Sequence, residues 1–192
     1  MLEDVSHHDH ILQVALERFA HQGIAQTTIQ DVADHAGSSK ANVLYHFRNK
    51  NHLVDVALEP ALGALGRLVE RANDSELEAA DAREWFITSF VDFLITHRLA
   101  THVIVAHPYL AEQSESLGRA HQLMTEMAHM VSNLSVGEED RLRFGIAVSG
   151  ATYALVSSGM LGVPGLDDDA LRTGLRDVLG QMLLSGQPAA GR

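Results

Sequence analysis

Apolar residues recur three and four positions apart along most of the chain, which is the pattern of amphipathic α-helices. In the first such segment Ile11, Val14, Ala15 and Phe19 form one apolar face, and Gly23 follows where a helix would end. The pattern as a whole predicts an all-α fold. Helices are expected over residues of about 9–22, 28–36, 39–47, 50–72, from 83 onward, 115–134, 137–160 and 167–184.

The segment Thr28–Lys50 predicts two short helices that are joined by a tight turn. Thr28 is a favourable N-cap with Asp31 in the first turn, where a carboxylate suits the helix N-terminus. Ser39 is the corresponding N-cap of the second helix. Between the two helices, Gly37 can adopt the left-handed backbone conformation that a sharp turn requires.

On the second helix Val43 and Phe47 lie four residues apart and are expected to face inward. Two helices with a glycine-containing turn form a helix-turn-helix unit, whose second helix can lie in the DNA major groove. Short polar side chains can reach base edges there, and donors beside them can hold phosphates. The spacing alone fits an ordinary helical hairpin equally well. The side chains left to point outward are Lys40, Asn42, Tyr45 and His46.

A set of residues in a single register distinguishes these alternatives. It comprises Thr28, Asp31-Val32-Ala33, Ala36-Gly37, Ser39, Tyr45-His46-Phe47, Lys50 and Leu53, with Ile11, Ala15, Phe19 and Gly23 in the preceding helix. This set resembles the N-terminal domain of the TetR family of transcriptional regulators over roughly residues 8–58. Ser38 and Leu44 depart from the family pattern, which often has a hydrophobic residue and an aromatic residue there. Both departures are expected to affect DNA-sequence preference and not the fold.

The resemblance implies that residues 39–50 contact double-stranded DNA. Lys50 is expected to hold a phosphate, and Thr28 to contact one as well as to cap its helix, because an exposed helix N-terminus with a hydroxyl is an anion site. Lys40, Asn42 and Tyr45 are expected to set sequence or register. The predicted DNA-binding residues are Thr28, Ser39, Lys40, Ala41, Asn42, Leu44, Tyr45, His46 and Lys50.

The net charge of −11 argues at first against a nucleic-acid partner, but its distribution does not. Residues 1–50 carry −2 and residues 51–192 carry −9, which together give −11. Both lysines of the chain lie in the predicted reading segment, and no acidic residue falls between Gly37 and Leu53. A local basic patch suffices for phosphate contact, whereas the acidic remainder discourages loose binding. Chance in a lysine-poor sequence is the alternative explanation.

The composition excludes several other kinds of site and classes of protein. The sequence contains no cysteine, so disulfides and Cys-based zinc sites are excluded. Neither a signal-peptide pattern nor an apolar segment of membrane-spanning length is visible, which predicts a soluble cytoplasmic protein. Residues 1–10 are expected to form a mobile, solvated arm despite His7, His8 and His10. Because a nucleophile elbow, a phosphate loop and a dinucleotide fingerprint are absent, we predict neither enzymatic activity nor a cofactor.

The helix that begins near Lys50 contains Pro60, which either bends one helix as a hinge or separates two helices. The polar and acidic segment 73–82 predicts a loop or a helix start. With the family resemblance, the chain divides into a TetR-like helix-turn-helix DNA-binding domain at 1–52 and a helical ligand-binding and dimerisation domain at 53–192.

The last two long helices predict assembly. Small residues crowd the penultimate helix between Gly145 and Gly159, and such residues allow close helix approach. The final helix adds an apolar stripe of Leu171, Leu175, Val178 and Met182. This combination resembles the four-helix dimer interface of the TetR family and predicts a homodimer. The alternative is that these helices pack within one subunit.

The middle helices are expected to enclose a pocket for a small apolar or aromatic effector. Met and aromatic side chains suit an adaptable pocket, although each of them alone fits plain core better. The candidate ligand-binding residues are Phe86, Phe90, Phe93, His97, His107, Tyr109, Met124, Met127 and Tyr153. A metal site is the alternative, but His97, His102 and His107 are five residues apart and cannot converge on one straight helix. We therefore predict no metal.

These observations predict a homodimeric TetR-like transcriptional regulator, in the first instance a ligand-responsive repressor that binds a palindromic operator. A dimer is needed because one short reading helix makes too few base contacts for a specific site. Two alternatives stay open. One is a helical small-molecule-binding protein or enzyme without specific DNA binding, and the other is a regulator that a protein partner controls.

Overall fold

The computed structural model describes residues 2–73, 79–106, 114–135, 137–156 and 167–184, and all regular structure within these ranges is helical. The predicted all-α fold is therefore confirmed. The helices are α1 (Leu2–Gln22), α2 (Ile29–His35), α3 (Lys40–Phe47), α4 (Lys50–Asn73), α5 (Ala79–Thr96), α6 (Arg98–Ala106), α7 (Glu115–Leu134), α8 (Glu138–Val156) and α9 (Asp168–Leu183).

Helix α1 begins at Leu2, so the predicted mobile arm over residues 1–10 is wrong for the described part of that segment. The reason is tertiary. His7 lies within hydrogen-bonding distance of Ser38, and His8 packs against the Phe47 ring. These contacts come from a distant part of the chain, so the local periodicity around residue 9 could not indicate them.

Helix α4 runs through Pro60 without interruption, so the predicted alternative of two separate helices is wrong. Pro60 lies on the exposed side of the helix. Because proline has no N–H, the helical hydrogen bond to the Val56 carbonyl is lost, but it is lost on the side of the helix that faces water. The opposite side of α4 is buried through Leu53, Leu58 and Leu62, and this burial holds the helix together across the proline.

The chain forms two compact units that are interleaved in sequence. The first unit comprises residues 1–63 with 99–122, and the second comprises residues 64–98 with 123–192. The sequence predicts a different division, between residues 52 and 53, which is based on which residues contact DNA. That division stays a prediction.

In the first unit the side chains of Ile11, Phe19, Val43 and Phe47 are almost completely buried. Polar contacts join the start of α7 to α4. Asp55 Oδ1 accepts hydrogen bonds from Ser114 Oγ at 2.8 Å and from the Ser116 amide at 3.1 Å. Asp55 therefore stabilises the N-terminus of α7, where unpaired amides favour a carboxylate.

In the second unit α5 packs against α8 and α9. Arg83 is buried, ion-paired with Asp140 on α8, and donates to the Leu183 carbonyl at the end of α9 at 3.0 Å. This guanidinium therefore joins all three helices. Within the described ranges, no single helix is long and apolar enough to cross a membrane, and only the consecutive helices at 81–96 and 98–106, counted as one, reach that length and composition.

Candidate nucleic-acid interface

Thr28 and Asp31 fix the start of α2 through a reciprocal capping box. The Asp31 amide donates to Thr28 Oγ1 at 3.1 Å, and the Thr28 amide donates to the Asp31 carboxylate at 2.9 Å. The hydroxyl of Thr28 also donates to this carboxylate at 2.8 Å. These hydrogen bonds, first the one from the Thr28 amide, hold the pKa of Asp31 below its usual value. The predicted cap is confirmed. The predicted phosphate contact of Thr28 stays a prediction, and its hydroxyl is already engaged locally.

The turn between α2 and α3 depends on Gly37, which has a φ of +60°. A Cβ built at this position would meet no atom within 4 Å, so the backbone conformation, and not a lack of space, requires glycine. After the turn, the Ser38 amide donates to the Ala33 carbonyl at 2.9 Å. Ser39 then caps α3 by accepting a hydrogen bond from the Asn42 amide at 3.1 Å, as predicted.

Helix α3 divides into a buried face and an outward face. Val43 and Phe47 are fully buried, whereas the side chain of Tyr45 is 82% exposed. Ser39, Lys40 and Ala41 are exposed, and Asn42, Leu44 and His46 are half-buried. The predicted DNA-binding residues of α3 therefore lie on or beside one solvent-facing surface, which fits the recognition helix of a helix-turn-helix unit.

Ser38, one of the two departures from the family pattern, lies between two polar side chains. Its Oγ accepts a hydrogen bond from Asn42 Nδ2 at 3.0 Å and lies 3.2 Å from His7 Nε2. Asn42 is a predicted base-reading residue, so the Ser38 hydroxyl holds that side chain in one orientation. The sequence offered a weak signal, because a serine at a position that is often hydrophobic indicates a polar neighbour.

The N-terminal part of α1 also packs on the end of α3. The His8 ring lies 4.9 Å from the Phe47 ring and 5.8 Å from the His46 ring, measured between centroids. The Tyr45 ring meets His46 edge-on at 5.3 Å. His7 and His8 therefore support the candidate interface, although sequence reasoning did not place them there.

Lys50 does not project towards solvent as a phosphate contact would. Its Nζ donates hydrogen bonds to the carbonyls of Ile24, Ala25 and Thr27 at 2.9, 3.3 and 3.1 Å. An ammonium group has three donors, so all of them are engaged in fixing the loop between α1 and α2. The phosphate role stays a prediction that requires exchange of these bonds.

Arg48 supplies an exposed cation that the predicted set omitted. It follows α3 with a φ of +59°, and its amide donates to the Leu44 carbonyl at 2.9 Å. Arg48 therefore follows directly on α3 as an exposed residue. Lys40 and Arg48 are the exposed cations closest in sequence to Tyr45.

The described members of the predicted ligand-binding set occupy different kinds of position. Phe86 and Phe90 are buried and stack on each other at 5.4 Å, and Phe86 lies at the same distance from Phe144, so they form core. Met124 and Met127 are half-buried on α7, and Tyr153 on α8 is 55% exposed. His107 and Tyr109 lie outside the described residues.

Phe93 and His97 line a recess of about 330 Å³ in the second unit, between α4 and α5, which we call the α4–α5 recess. It also includes Arg67, Arg71, Trp85 and Ser89. The two arginines and the tryptophan were absent from the predicted set. Among the described residues, no group of three histidine, aspartate or glutamate side chains could hold a metal ion.

The second unit also has an apolar surface on α8 and α9, which we call the α8–α9 face. It contains a depression of about 430 Å³ whose lining includes Ile146, Gly150, Ala154, Leu171, Gly174 and Val178. Ile146 and Val178 are 55% and 54% exposed. Large apolar side chains with this exposure indicate an interaction surface when they lie together.

An exposed polar helix on a helix-turn-helix scaffold has the geometry that DNA-binding domains use, and comparison with known proteins relates this part of the chain to a family. Residues 11–57 match the family profile described as "Bacterial regulatory proteins, tetR family". This match confirms the resemblance to the TetR family that the sequence predicts for this segment.

Curated relatives match between about a third and a half of the chain. The transcriptional repressor KstR2 of Mycolicibacterium smegmatis is 32% identical over 103 residues, which are 53% of this chain and 49% of that protein. The transcriptional regulator TtgR of Pseudomonas putida is 35% identical over 68 residues, 35% of this chain and 32% of that protein. The chain thus matches about half, or less, of the length of these relatives, which are regulators of transcription.

Solved structures extend the likeness to the whole fold. The ketosteroid transcriptional regulator KstR2 of Mycobacterium tuberculosis aligns with a TM-score of 0.66 at 16% identity, over 91% of this chain and 92% of that chain. A TetR-family regulator from Bordetella parapertussis aligns with a TM-score of 0.68 at 15% identity, over 94% and 97%. At this identity the likeness concerns the fold, which is the TetR-like arrangement of an N-terminal helix-turn-helix and a C-terminal helical domain.

Proposed function

We propose that this chain is a transcriptional repressor that places α3 in the major groove of an operator. The observation that carries the proposal is the outward face of α3, with Tyr45 82% exposed above a fully buried Val43 and Phe47. The burial fixes the helix on its scaffold, and the exposed residues are then free to meet base edges and phosphates. Repression follows the named relative KstR2, which is described as a repressor.

The operator-bound form is a homodimer that is joined through the α8–α9 face. Gly150 and Gly174 lie in that face and allow the backbones of two subunits to approach closely, while Ile146 and Val178 supply apolar side chains that one chain leaves exposed. A second copy is the occupant that fits best, because one eight-residue reading helix makes too few base contacts for a specific site. Two-fold symmetry of the dimer implies a palindromic operator.

A small molecule that binds the second unit releases the repressor from DNA. The effector and the operator are then linked thermodynamically, because each shifts the same equilibrium between two arrangements of the dimer. Helix α7 is continuous between the two parts of this linkage. It carries Ser116 and Arg119, which contact Asp55 and Glu59 on α4, and two turns later Met124 and Met127, which were predicted to contact the effector.

Footprinting tests the proposal. The purified chain is incubated at moderate salt with the DNA that flanks its own gene, in the presence of excess unrelated DNA. A protected, two-fold symmetric site is the expected result. If a folded protein protects no site there and enriches no fragment in a selection from the whole genome, the regulator proposal is wrong, and the remaining reading is a helical small-molecule-binding protein.

A further inference from the structure

The α4–α5 recess combines positive charge with a flat aromatic wall. Arg67 and Arg71, one helical turn apart on α4, line it together with Trp85 and Phe93 on α5, and its volume is about 330 Å³. Ser89 and His97 add polar groups to the same lining. The volume falls within the range of roughly 300–1,000 Å³ that is usual for small-molecule sites.

The two guanidinium groups have no carboxylate partner within ion-pair distance among the described residues. Asp92 lines the same recess, but its oxygens are engaged elsewhere. They accept hydrogen bonds from Arg172 at 2.8 Å and from Arg176 at 2.9 and 3.0 Å. Among the described lining residues Asp92 is the only carboxylate, and it is ion-paired with α9. Arg67 and Arg71, both exposed, therefore present their positive charges to this recess in a chain whose net charge is −11.

Trp85 holds one of these charges in place. The Arg71 guanidinium lies over the indole ring, 5.4 Å from its centroid. Such a cation–π contact orients the planar group while leaving N–H donors at its edge for an oxyanion. A guanidinium that is oriented before binding loses less entropy when it binds, which favours bidentate recognition of a carboxylate or a phosphate.

His97 keeps the recess from becoming more positive. It packs against the Phe93 ring at 5.4 Å between centroids, and burial, followed by the nearby charge of Arg67, lowers the pKa of its imidazole. A neutral imidazole can donate and accept one hydrogen bond each. The positive charge of the recess therefore comes from Arg67 and Arg71.

We propose that the α4–α5 recess binds the oxyanion of a small-molecule effector between Arg67 and Arg71, with the apolar or aromatic body of that molecule along Trp85 and Phe93. The oxyanion is a carboxylate or a phosphate. This inference rests on the proposed function, because it names the chemical class of the molecule that releases the repressor. It changes the predicted apolar effector into an amphipathic, anionic one.

Trp85 is the only tryptophan of the chain, so intrinsic tryptophan fluorescence reports on this recess directly. The probes are benzoate and phenyl phosphate, with benzamide as the uncharged molecule of nearly the same shape. A saturable change of the fluorescence is expected with at least one of the two anions, and benzamide is expected to bind roughly tenfold or more weakly. The better of the two anions identifies the oxyanion.

Three variants test the assignment. Arg67→Gln and Arg71→Gln are each expected to weaken anion binding roughly tenfold or more. Arg67→Gln is decisive, since Arg71→Gln also alters the surroundings of the fluorophore. Arg143→Gln is the matched control, because Arg143 pairs with Glu139 on its own helix α8 and does not line the recess, and it should leave the affinity unchanged.

The inference is overturned if neither anion gives a saturable signal, if benzamide binds as tightly as the anions, or if Arg67→Gln has no effect. It is also overturned in its regulatory part if the bound anion leaves the operator complex intact. Footprinting without a ligand keeps the two proposals apart. Operator protection without a fluorescence response removes only the effector assignment, whereas a fluorescence response without any operator removes the proposed function.

Discussion

Helix α3 and the α8–α9 face both border solvent, but they present opposite kinds of side chain. α3 buries Val43 and Phe47 completely and presents Tyr45 and Lys40 outward. The α8–α9 face leaves Ile146 and Val178 more than half exposed. The first surface is complete within one chain and suits a polyanion, whereas the second lowers its free energy only when another apolar surface covers it. The comparison supports the proposal that the first unit recognises DNA and that the second forms the dimer.

The largest effect is expected from a charge on the α8–α9 face. Val178→Asp should leave the subunit folded, because the side chain is 54% exposed, but it would bury an unpaired carboxylate in a dimer. The cost is about 3 kcal/mol or more, enough to dissociate the dimer at micromolar concentration and to abolish operator binding. Sedimentation analysis measures the first effect and footprinting the second.

Gln181→Asp provides the control for this charge. Gln181 is an exposed residue of α9 that does not line the depression, so its substitution should change neither association nor DNA binding. A Val178→Asp protein that still sediments as a dimer would move the assembly surface elsewhere.

A substitution on α3, the proposed reading helix, should abolish DNA binding without affecting the dimer. Tyr45→Ala removes the most exposed aromatic side chain of α3 and is expected to abolish specific operator binding, at a loss of about 1–3 kcal/mol for each base contact, while the dimer persists. A gel-shift titration beside sedimentation separates the two properties. Retained binding would remove Tyr45 from the interface.

The two lysines provide a comparison within the first unit. Lys50→Gln removes a donor to three backbone carbonyls, so it should lower the free energy of unfolding by about 1–3 kcal/mol. Lys40→Gln should leave thermal stability unchanged and reduce the slope of log affinity against log salt by about 1. If the two variants change places in these measurements, the phosphate role predicted for Lys50 is correct and the structural role is wrong.

The helix-turn-helix segment Thr28–Lys50 could be predicted from the sequence because the residues that determine it lie close together in the chain. The caps at Thr28 and Ser39 and the turn at Gly37 lie within a dozen residues. At each of these positions the local backbone conformation itself requires the residue type that is found there. The engagement of Lys50 was not predictable in this way. The carbonyls that it contacts lie more than twenty residues earlier and reach it only through folding.

The second unit illustrates a different limit. Phe86, Phe90 and Phe93 share a helical stripe, and spacing cannot tell core from pocket; in the structure the first two stack in the core and the third lines a recess. Two arginines one helical turn apart, Arg67 and Arg71, could have indicated a binding site from the sequence. The contact of Arg71 with Trp85 could not have been predicted, because Trp85 lies on another helix. Fold class follows from periodicity, whereas a site follows from which helices become neighbours.

Ser38 tests how finely the reading face is positioned. Ser38→Ala removes the hydroxyl that accepts a hydrogen bond from Asn42 Nδ2 and should weaken operator binding by about 1 kcal/mol while relaxing the preference for one base. His7→Ala should cause a smaller loss that is not additive with Ser38→Ala, because both act through the same hydroxyl. Strict additivity in the double variant would show that His7 does not act through Ser38. Operator-variant libraries provide the measurement.

The smallest expected effect is a dependence of stability on pH in the first unit. His102 on α6 is half-buried, and burial, followed by the nearby charge of His21, lowers its pKa below the usual value near 6.5. The folded state then binds fewer protons than the unfolded chain, so this group's contribution is fully present above pH 6.5 and is lost as the pH falls through the lowered pKa. Because the group is partly exposed, the change should stay below about 1 kcal/mol.

The measurement is chemical denaturation between pH 7.5 and pH 5 at ~25 °C. The free energy of unfolding of His102→Gln should fall less steeply with decreasing pH than that of the wild type. His10→Gln, which replaces an exposed histidine of α1, should follow the wild-type curve. Parallel curves for His102→Gln and wild type would assign the acid sensitivity to other groups.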